Sequence, residues 1–341
     1  MKTVFSCAAA AAALLIMNAC NKNDRPPLPI EEGRIRVEIG IEGIGATRAT
    51  GIVTGSEASE AKVNDLQIFV FNGDQLDGYA HGTSTKSLSV SCTAGSRDIY
   101  AIVNAPSLAN ITSSGQLLGT VSTLVEDIRN FRMAGKKTEM LPGSGVVTVP
   151  VGRLAARVVL KSIRNGLKNN PETLLIRSVY LTNVAGDVNF GCSPDYVAQT
   201  WYNRRGYQHA NCLGSFNRDA VDAPVSQGQT YNTAHYFYSM PNAFEPAAGG
   251  PWTPRRSKLV IQASIGGTVY DYPILLPALE ANHSYEIEML TITRTGNPDN
   301  GREPTSDDDT DEEDLITGKN VTFEITVKPW TVVTVSEGTT I

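Results

Sequence analysis

The sequence contains few of the residues from which metal and catalytic sites are usually built. It has five cysteines and four histidines in 341 residues, and they form no Cys-x-x-Cys pair, His-Glu-x-x-His helix or His/Cys cluster. No metal site is therefore predicted. A Gly-x-Ser-x-Gly nucleophile elbow and a phosphate-binding loop are also absent. We expect a protein that is not an enzyme and that has no cofactor.

Charge is distributed too evenly to indicate a nucleic-acid partner. After Arg48 the chain has 23 basic and 30 acidic residues, and seven of the acidic residues lie in the short run 307–314. Outside that run the charges balance, and no basic face is evident. The run superficially suggests a calcium loop, but the Gly and Glu that an EF-hand needs at its sixth and twelfth positions are missing. We interpret residues 307–314 as a solvated connection.

What the sequence does contain is an ordinary globular composition with many turn residues. It is 41% hydrophobic and 19% charged, with 30 glycines and 18 prolines. This balance excludes collagen-like sequence, a coiled coil, long disorder and a polytopic membrane protein. The length suits about two domains.

The N-terminus has the pattern of a bacterial export signal. Lys2 precedes a short apolar run over residues 4–17, which is too short for a mature membrane-spanning helix. The run ends in Met-Asn-Ala-Cys, which resembles a lipoprotein box and makes Cys20 the predicted site of lipidation, with residues 1–19 as the signal peptide. Two or three acyl chains on Cys20 would anchor the protein stably to a membrane. The polar, proline-rich residues 21–29 would form a tether.

Alternation with a period of two dominates the rest of the chain. In residues 34–42 every second residue is apolar, as in a half-buried strand. The apolar face comprises Ile35, Val37, Ile39 and Ile41. Further strand-like runs follow at short intervals, separated by turn sequences, at residues 66–71, 87–92, 98–103, 146–151, 156–160, 174–181, 258–264, 268–272, 284–292 and 321–335.

Many short strands with little helix predict an all-β fold. Two antiparallel β-sandwich domains fit the length, joined near Pro150. The predicted limits are 49–150 for the first sandwich and 151–341 for the second. One helix is predicted over residues 117–131, where apolar residues recur every three or four positions. Ser113 and Ser114 are available to cap it.

Three cysteines remain if Cys7 leaves with the signal and Cys20 is acylated. Cys192 and Cys212 lie in one loop-rich stretch and could form a disulfide in an oxidising compartment. Cys92 falls in an alternating strand pattern and is interpreted as a small core residue. The alternative, three free thiols, stays open.

The order of these features resembles that of a known family. A lipobox and tether precede an alternating strand that ends in residues 43–50 (GIGATRAT), and residues 149–156 (VPVGRLAA) and 321–330 (VTFEITVKPW) follow. Together they resemble a Bacteroides-type fimbrillin, the FimA/Mfa-like family of major fimbrial subunits. The resemblance implies two transthyretin-like sandwiches, a lipoprotein precursor at the outer membrane, and cleavage after an arginine by a trypsin-like protease. Arg48, followed by Ala49, matches the family's cleavage position, so residues 20–48 would be tether and propeptide.

Polymerisation by strand donation is the further implication of the resemblance. Loss of the propeptide strand would vacate an apolar groove, and another subunit's strand would fill it. The candidate donor is the β-branched segment 331–341, with Val333 and Val335 on one face. That segment could instead complete its own domain as a final hairpin strand. The predicted partners are other fimbrial subunits, the protease and, before cleavage, the outer membrane.

The subunit's role within a fimbria is left open by the sequence. A matching arginine and a long C-terminal strand favour a stalk subunit, although a tip or anchor subunit remains an alternative. A different class of function is a lipid-anchored surface protein that binds glycans or acts as an adhesin. The fate of the N-terminus discriminates between them, since a binder should keep its acylated Cys20 and a polymerising subunit should lose everything through Arg48.

Overall fold

The alternating sequence patterns form strands throughout the computed structural model. The structure describes residues 34–42, 60–125, 128–143, 145–168, 173–203, 217–245, 253–298, 321–322 and 324–329. Within them, short strands dominate and one short α-helix occurs. The predicted fold class, all-β with minor helix in tandem sandwiches, is confirmed. No helix in these ranges is long and apolar enough to cross a membrane.

Two sheets built from the first part of the chain enclose an apolar core. One sheet has three strands in the order β4-β1-β8, and the other has five in the order β3-β2-β5-β7-β9. Both sheets contribute buried residues to a single cluster, which includes Val37 and Val90 from one and Leu66 and Ile99 from the other. The strands are β1 (Arg34–Glu42), β2 (Asp65–Asn72), β3 (Gln75–Thr83), β4 (Ser87–Thr93), β5 (Gly95–Val103), β6 (Val121–Thr123), β7 (Met133–Leu141), β8 (Val146–Pro150) and β9 (Gly152–Arg153).

The second part of the chain follows a similar plan. A five-stranded sheet, β16-β12-β19-β20-β23, accompanies two four-stranded sheets, β18-β10-β21-β25 and β17-β11-β22-β24. The strands are β10 (Ala156–Leu160), β11 (Ile163–Asn165), β12 (Leu174–Thr182), β13 (Val184–Ala185), β14 (Asp187–Asn189), β15 (Trp201–Tyr202), β16 (Arg218–Val225), β17 (Thr230–Tyr231), β18 (His235–Ser239), β19 (Lys258–Ile265), β20 (Thr268–Leu275), β21 (His283–Ile287), β22 (Leu290–Ile292), β23 (Asn297–Pro298), β24 (Val321–Thr322) and β25 (Ile325–Pro329).

The helix predicted over residues 117–131 is much shorter than expected. Helix α1 spans Ser114–Gly119, and the Ser113 side chain caps it by accepting a hydrogen bond from the backbone N–H of Gln116. Strand β6 follows and pairs with β14, and a 3-10 turn spans Ile128–Asn130. The prediction was wrong beyond Gly119 because pairing with a distant strand outweighs the local helical spacing.

The passage between the two parts lies close to the predicted join at Pro150. Strand β9 still pairs with β7, and β10 opens the sheets of the second part, so the chain crosses at Leu154 and Ala155. The β6–β14 pair also links the two parts. The domain limits stay a prediction.

A buried ionic cluster holds this junction together. The Glu60 carboxylate accepts a hydrogen bond from Arg157 at 3.0 Å and another from the Tyr238 hydroxyl. Arg153 donates to the Glu60 carbonyl oxygen at 3.1 Å. Burial, with the nearby Glu60 charge, raises the pKa of Tyr238 well above its usual value. Glu60, only eleven residues after Ala49, is thus fixed to the second part of the chain.

Candidate functional site: the place of the first strand

Strand β1 is the central strand of its three-stranded sheet. It pairs antiparallel with β4 from Arg34 to Gly40, and parallel with β8 from Glu38 to Glu42. Strands β4 and β8 are not adjacent to each other in this sheet. Without β1, both would present unpaired backbone N–H and C=O groups across a strand-shaped gap.

The inner face of β1 seals the core of the first sandwich. Val37 is 2% exposed and Ile39 is fully buried, while Ile35 is partly buried against the same cluster. The core residues contributed by the two neighbouring strands are Val90, Cys92, Val147 and Val149. Burial of Val37 and Ile39 stabilises the fold by about 1.5–3 kcal/mol each, so β1 is held firmly.

Strands β4 and β8 form the walls of the groove that β1 fills. Each wall also contacts the opposite sheet, independently of β1. Strand β4 approaches β3 at Gly78, where a Cβ atom would lie 2.6 Å from the Ser91 carbonyl oxygen. Strand β8 approaches β7 at Gly135, where a Cβ atom would clash with the Pro150 carbonyl oxygen. Glycine permits these close approaches. Both walls therefore have contacts that would remain if β1 left.

A polar cluster marks the start of β1. Arg34 donates hydrogen bonds to the carbonyl oxygens of Ser91, at 2.8 Å, and of Asp77. Its guanidinium also lies 3.6 Å from the Asp77 carboxylate. The end of β1 is thus fixed by a charged side chain as well as by strand pairing.

Asp77, on β3, is bound more tightly to Thr93 of β4 and Arg97 of β5 than to β1. Its Oδ2 atom accepts hydrogen bonds from Arg97 Nε at 2.9 Å, from the Thr93 amide at 2.9 Å and from the Thr93 hydroxyl at 2.7 Å. Burial opposes ionisation of Asp77, but the hydrogen bonds from Thr93 and Arg97 outweigh it, so the pKa of Asp77 lies below its usual value. Removal of Arg34 would leave this ion pair intact.

The buried Cys92 lies on β4, beside the first residues of β1. It is the register partner of Ile35 and is fully inaccessible. Burial raises the pKa of the Cys92 thiol, which further lowers its reactivity. The interpretation of Cys92 as a small core residue fits this environment.

Several predicted residues lie outside the described part of the chain. These are Cys20, Arg48, Ala49, Cys212, Val333, Val335 and the acidic run 307–314. Ile41 pairs with Val149 through its backbone, but its side chain is not described. Their predicted roles in lipidation, cleavage, disulfide formation and strand donation stay predictions.

Cys192 is half-buried and has no disulfide partner among the described residues. Burial raises the pKa of its thiol. The described residues also contain no group of three or more His, Cys, Asp or Glu side chains suited to a metal ion.

Sequence reasoning missed two features of this site. The parallel pairing with β8 joins residues more than one hundred positions apart, and no local pattern signals it. The Asp77–Arg97 pair joins two different strands, and each residue alone resembles a surface charge in the sequence. An aspartate within the run Gln75–Thr83, which is otherwise poor in charge, was the only available signal.

Comparison with known proteins finds a family match over part of the chain. Residues 34–172 match the family of the major fimbrial subunit protein (FimA), beginning at the first residue of β1. The predicted resemblance to the fimbrillins is confirmed. That family is one of fimbrial subunits and not of enzymes. No curated protein matches the chain.

Solved structures share the fimbrillin fold over most of the chain. A fimbrilin (FimA) from Porphyromonas gingivalis W83 has 15% identity and a TM-score of 0.61. The match covers 87% of this chain and 98% of the fimbrilin chain. The tip fimbrial protein Mfa3 of Porphyromonas gingivalis, with a C-terminal truncation, has 12% identity and a TM-score of 0.54. It covers 87% of this chain and all of its own. At such identities the likeness concerns the fold alone.

Proposed function

We propose that this protein is a fimbrillin, a structural subunit of a cell-surface fimbria in which subunits join by strand donation and support adhesion. The observation that carries the proposal is the central position of β1 between β4 and β8. A strand in that position leaves a complete docking site for another strand when it is removed. The walls' own attachments at Gly78 and Gly135 would keep that site open.

Maturation begins with export and lipidation at Cys20, followed by cleavage between Arg48 and Ala49 by a trypsin-like protease. The cut falls six residues after the end of β1. It would separate β1 from the subunit covalently, while Glu60 keeps the new N-terminal segment at the junction of the two domains.

Assembly then uses the segment that follows β25. Val333 and Val335 of one subunit enter the groove vacated by Ile35, Val37, Ile39 and Ile41 of the next. Strands β24 and β25 pair with β22 and β21, so the donor's second domain is completed by residues that precede the donor segment. A subunit with both a removable strand and a donor segment suits the stalk of a fimbria.

Substitution of Arg48 tests the maturation step. Arg48→Ala should leave a lipidated precursor that accumulates as a monomer, because β1 stays covalently attached. Arg48→Lys is the matched control, and a trypsin-like protease that accepts lysine should restore assembly. The mature N-terminus, determined by mass spectrometry of surface material, should be Ala49 in the wild type. Normal polymer from Arg48→Ala would contradict the proposal, and a mature wild-type protein that begins at an acylated Cys20 would favour a lipid-anchored binder.

Substitution of the donor face tests the assembly step. Val333→Asp/Val335→Asp should abolish polymer without changing the melting temperature, because two charges cannot enter an apolar groove. Val332→Asp/Thr334→Asp, on the opposite face, is the matched control and should retain assembly. Polymer length by size-exclusion chromatography and thermal unfolding are the measurements. A collapsed melting temperature would assign Val333 and Val335 to their own domain's core.

A further inference from the structure

Strand β1 is held unequally on its two sides. Along β4, every residue from Arg34 to Gly40 has a partner, whereas β8 begins only opposite Glu38. Among the described residues, the first four residues of β1 therefore have no strand paired with them on the β8 side. Within that part of the chain, this edge of β1 is unpaired while the strand is still in its groove.

A cavity of about 310 Å³ lies beside this open edge. Val37 forms one wall, and the ends of β7 and β8 form the others. The lining residues that the argument uses are Val37, Met140, Val146 and Val147. A cavity next to an unpaired strand edge can accept side chains of a strand that adds to that edge.

The lining of the cavity combines exposed apolar side chains with the Lys137–Glu139 ion pair, whose charged atoms lie 3.0 Å apart. Val146 is 76% exposed and Met140 is 63% exposed, which makes them the most exposed large apolar side chains in the described part of the chain. Both lie close to the connection between β7 and β8, which belong to different sheets, and both line the same cavity. Exposed apolar side chains that cluster in this way mark an interaction surface.

We propose that this cavity is the docking site at which residues 330–341 of a second copy of the chain first bind, before β1 has left. The inference rests on the proposed function and adds the order of events. The incoming segment pairs beside Arg34–Val37, lays its apolar side chains on Met140 and Val146, and then displaces β1 pair by pair. The groove is never empty, so its apolar residues stay covered throughout the exchange.

Length and composition of the segment support this occupant. Residues 330–341 number twelve, and β1 has nine. The segment can therefore fill the groove and extend past it into the cavity. Glu337 is its only charged side chain, and Val332, Val333 and Val335 are β-branched, so an extended segment can lie on Met140 and Val146 beside the Lys137–Glu139 ion pair.

The test measures how the release of β1 depends on the concentration of donor. The acceptor is the unlipidated precursor, residues 21–341, with a site-specific protease sequence inserted after Arg48. It carries Val333→Asp/Val335→Asp so that its own end cannot donate. After cleavage, a synthetic peptide of residues 330–341 is added at increasing concentration, and release of the β1 fragment is followed by size-exclusion chromatography and mass spectrometry.

Direct exchange predicts that the release rate rises with peptide concentration. Met140→Asp/Val146→Asp should lower that rate at least tenfold at every concentration without lowering the melting temperature of the precursor. Met140→Ser/Val146→Ser should act in the same direction and serves if the charged variant does not fold. Val197→Asp/Met289→Asp is the matched control, because these side chains are 41% and 42% exposed but lie elsewhere.

Two results would overturn this inference but leave the proposed function intact. The first is a release rate that does not depend on peptide concentration, because β1 then leaves before the peptide binds. The second is an equal release rate in the rim variants, at Met140 and Val146, and in the control variant. A peptide that never enters the groove of the cleaved acceptor with an unchanged rim would overturn strand donation and this inference together.

Discussion

Strands β1 and β10 occupy the same position in their sheets but are held in the protein by different means. Each is an inner strand with an antiparallel neighbour on one side and a parallel neighbour on the other. All five residues of β10 are buried, whereas β1 exposes Arg36 on its outer face. The second domain also has a fourth strand, β25, beside the parallel neighbour of β10, and among the described residues the first sheet has none.

The comparison indicates which features would make β1 exchangeable, as the proposed function requires. The pairing and inner-face burial of β1 resemble those of an ordinary core strand. Weak binding of β1 therefore does not explain why β1 would be exchanged. The reasons are the separate attachment of its walls to the other sheet and its position next to a predicted cleavage site. By contrast, β10 contributes Arg157 to the buried cluster with Glu60, which links the two domains.

The largest expected difference in stability between β1 and β10 comes from placing a charged side chain on the buried face of each strand. Val158→Asp puts a carboxylate at a fully buried position of β10, at a cost of several kcal/mol, comparable to the whole stability of a domain. We expect no soluble folded protein. Val37→Asp should lower the melting temperature of the precursor, yet leave the assembled polymer unchanged, because β1 is absent from the polymer in the proposed assembly.

Expression level and thermal unfolding before and after maturation measure this difference. Arg36→Asp, on the exposed face of β1, is the control for charge alone and should change little. A Val37→Asp defect that persists in the polymer would mean that β1 is a permanent part of the domain.

Sequence reasoning predicted β1 almost completely and its surroundings only in part. The limits 34–42 and the inner face of β1 follow from strict alternation, which depends only on neighbouring residues. The parallel partner β8 and the cavity depend on how distant strands meet, and local patterns carry no such information. The overlong helix at residues 117–131 has the same cause, since pairing of β6 with β14 decided the structure.

A smaller effect is expected from covalent reinforcement of the second domain. A Cys192–Cys212 bridge would close a loop of about twenty residues and contribute roughly 3 kcal/mol in the chain-entropy model. Thiol counting on denatured, unreduced mature protein should find one free thiol, that of Cys92. Cys212→Ala should lower the free energy of unfolding by about that amount, whereas Cys92→Ala acts as a control without a bridge. Three free thiols would refute the bridge.

The smallest expected effect is a difference in unfolding free energy between a variant of the groove, Asp77→Asn, and a variant of β1, Arg34→Ala. Asp77→Asn weakens the contacts with Arg97 and Thr93, and should lower the free energy of unfolding by about 1–3 kcal/mol at pH 7 in precursor and polymer alike. Arg34→Ala should cost about 1 kcal/mol or less, since Arg34 is partly exposed, and only in the precursor.

The pH dependence of the Asp77 contribution follows from its lowered pKa. The stabilisation is complete above the unfolded pKa of about 3.9 and is lost as the pH falls through the lower pKa of the folded state. The difference in unfolding free energy between wild type and Asp77→Asn should therefore be constant from pH 7 to about pH 5 and shrink below about pH 4. Denaturant unfolding across this range measures it. The prediction would be contradicted if Arg34→Ala lowered the free energy of unfolding as much as Asp77→Asn, in the polymer as well as in the precursor. The polar cluster would then depend on β1, and β4 and β8 would not keep their positions without it.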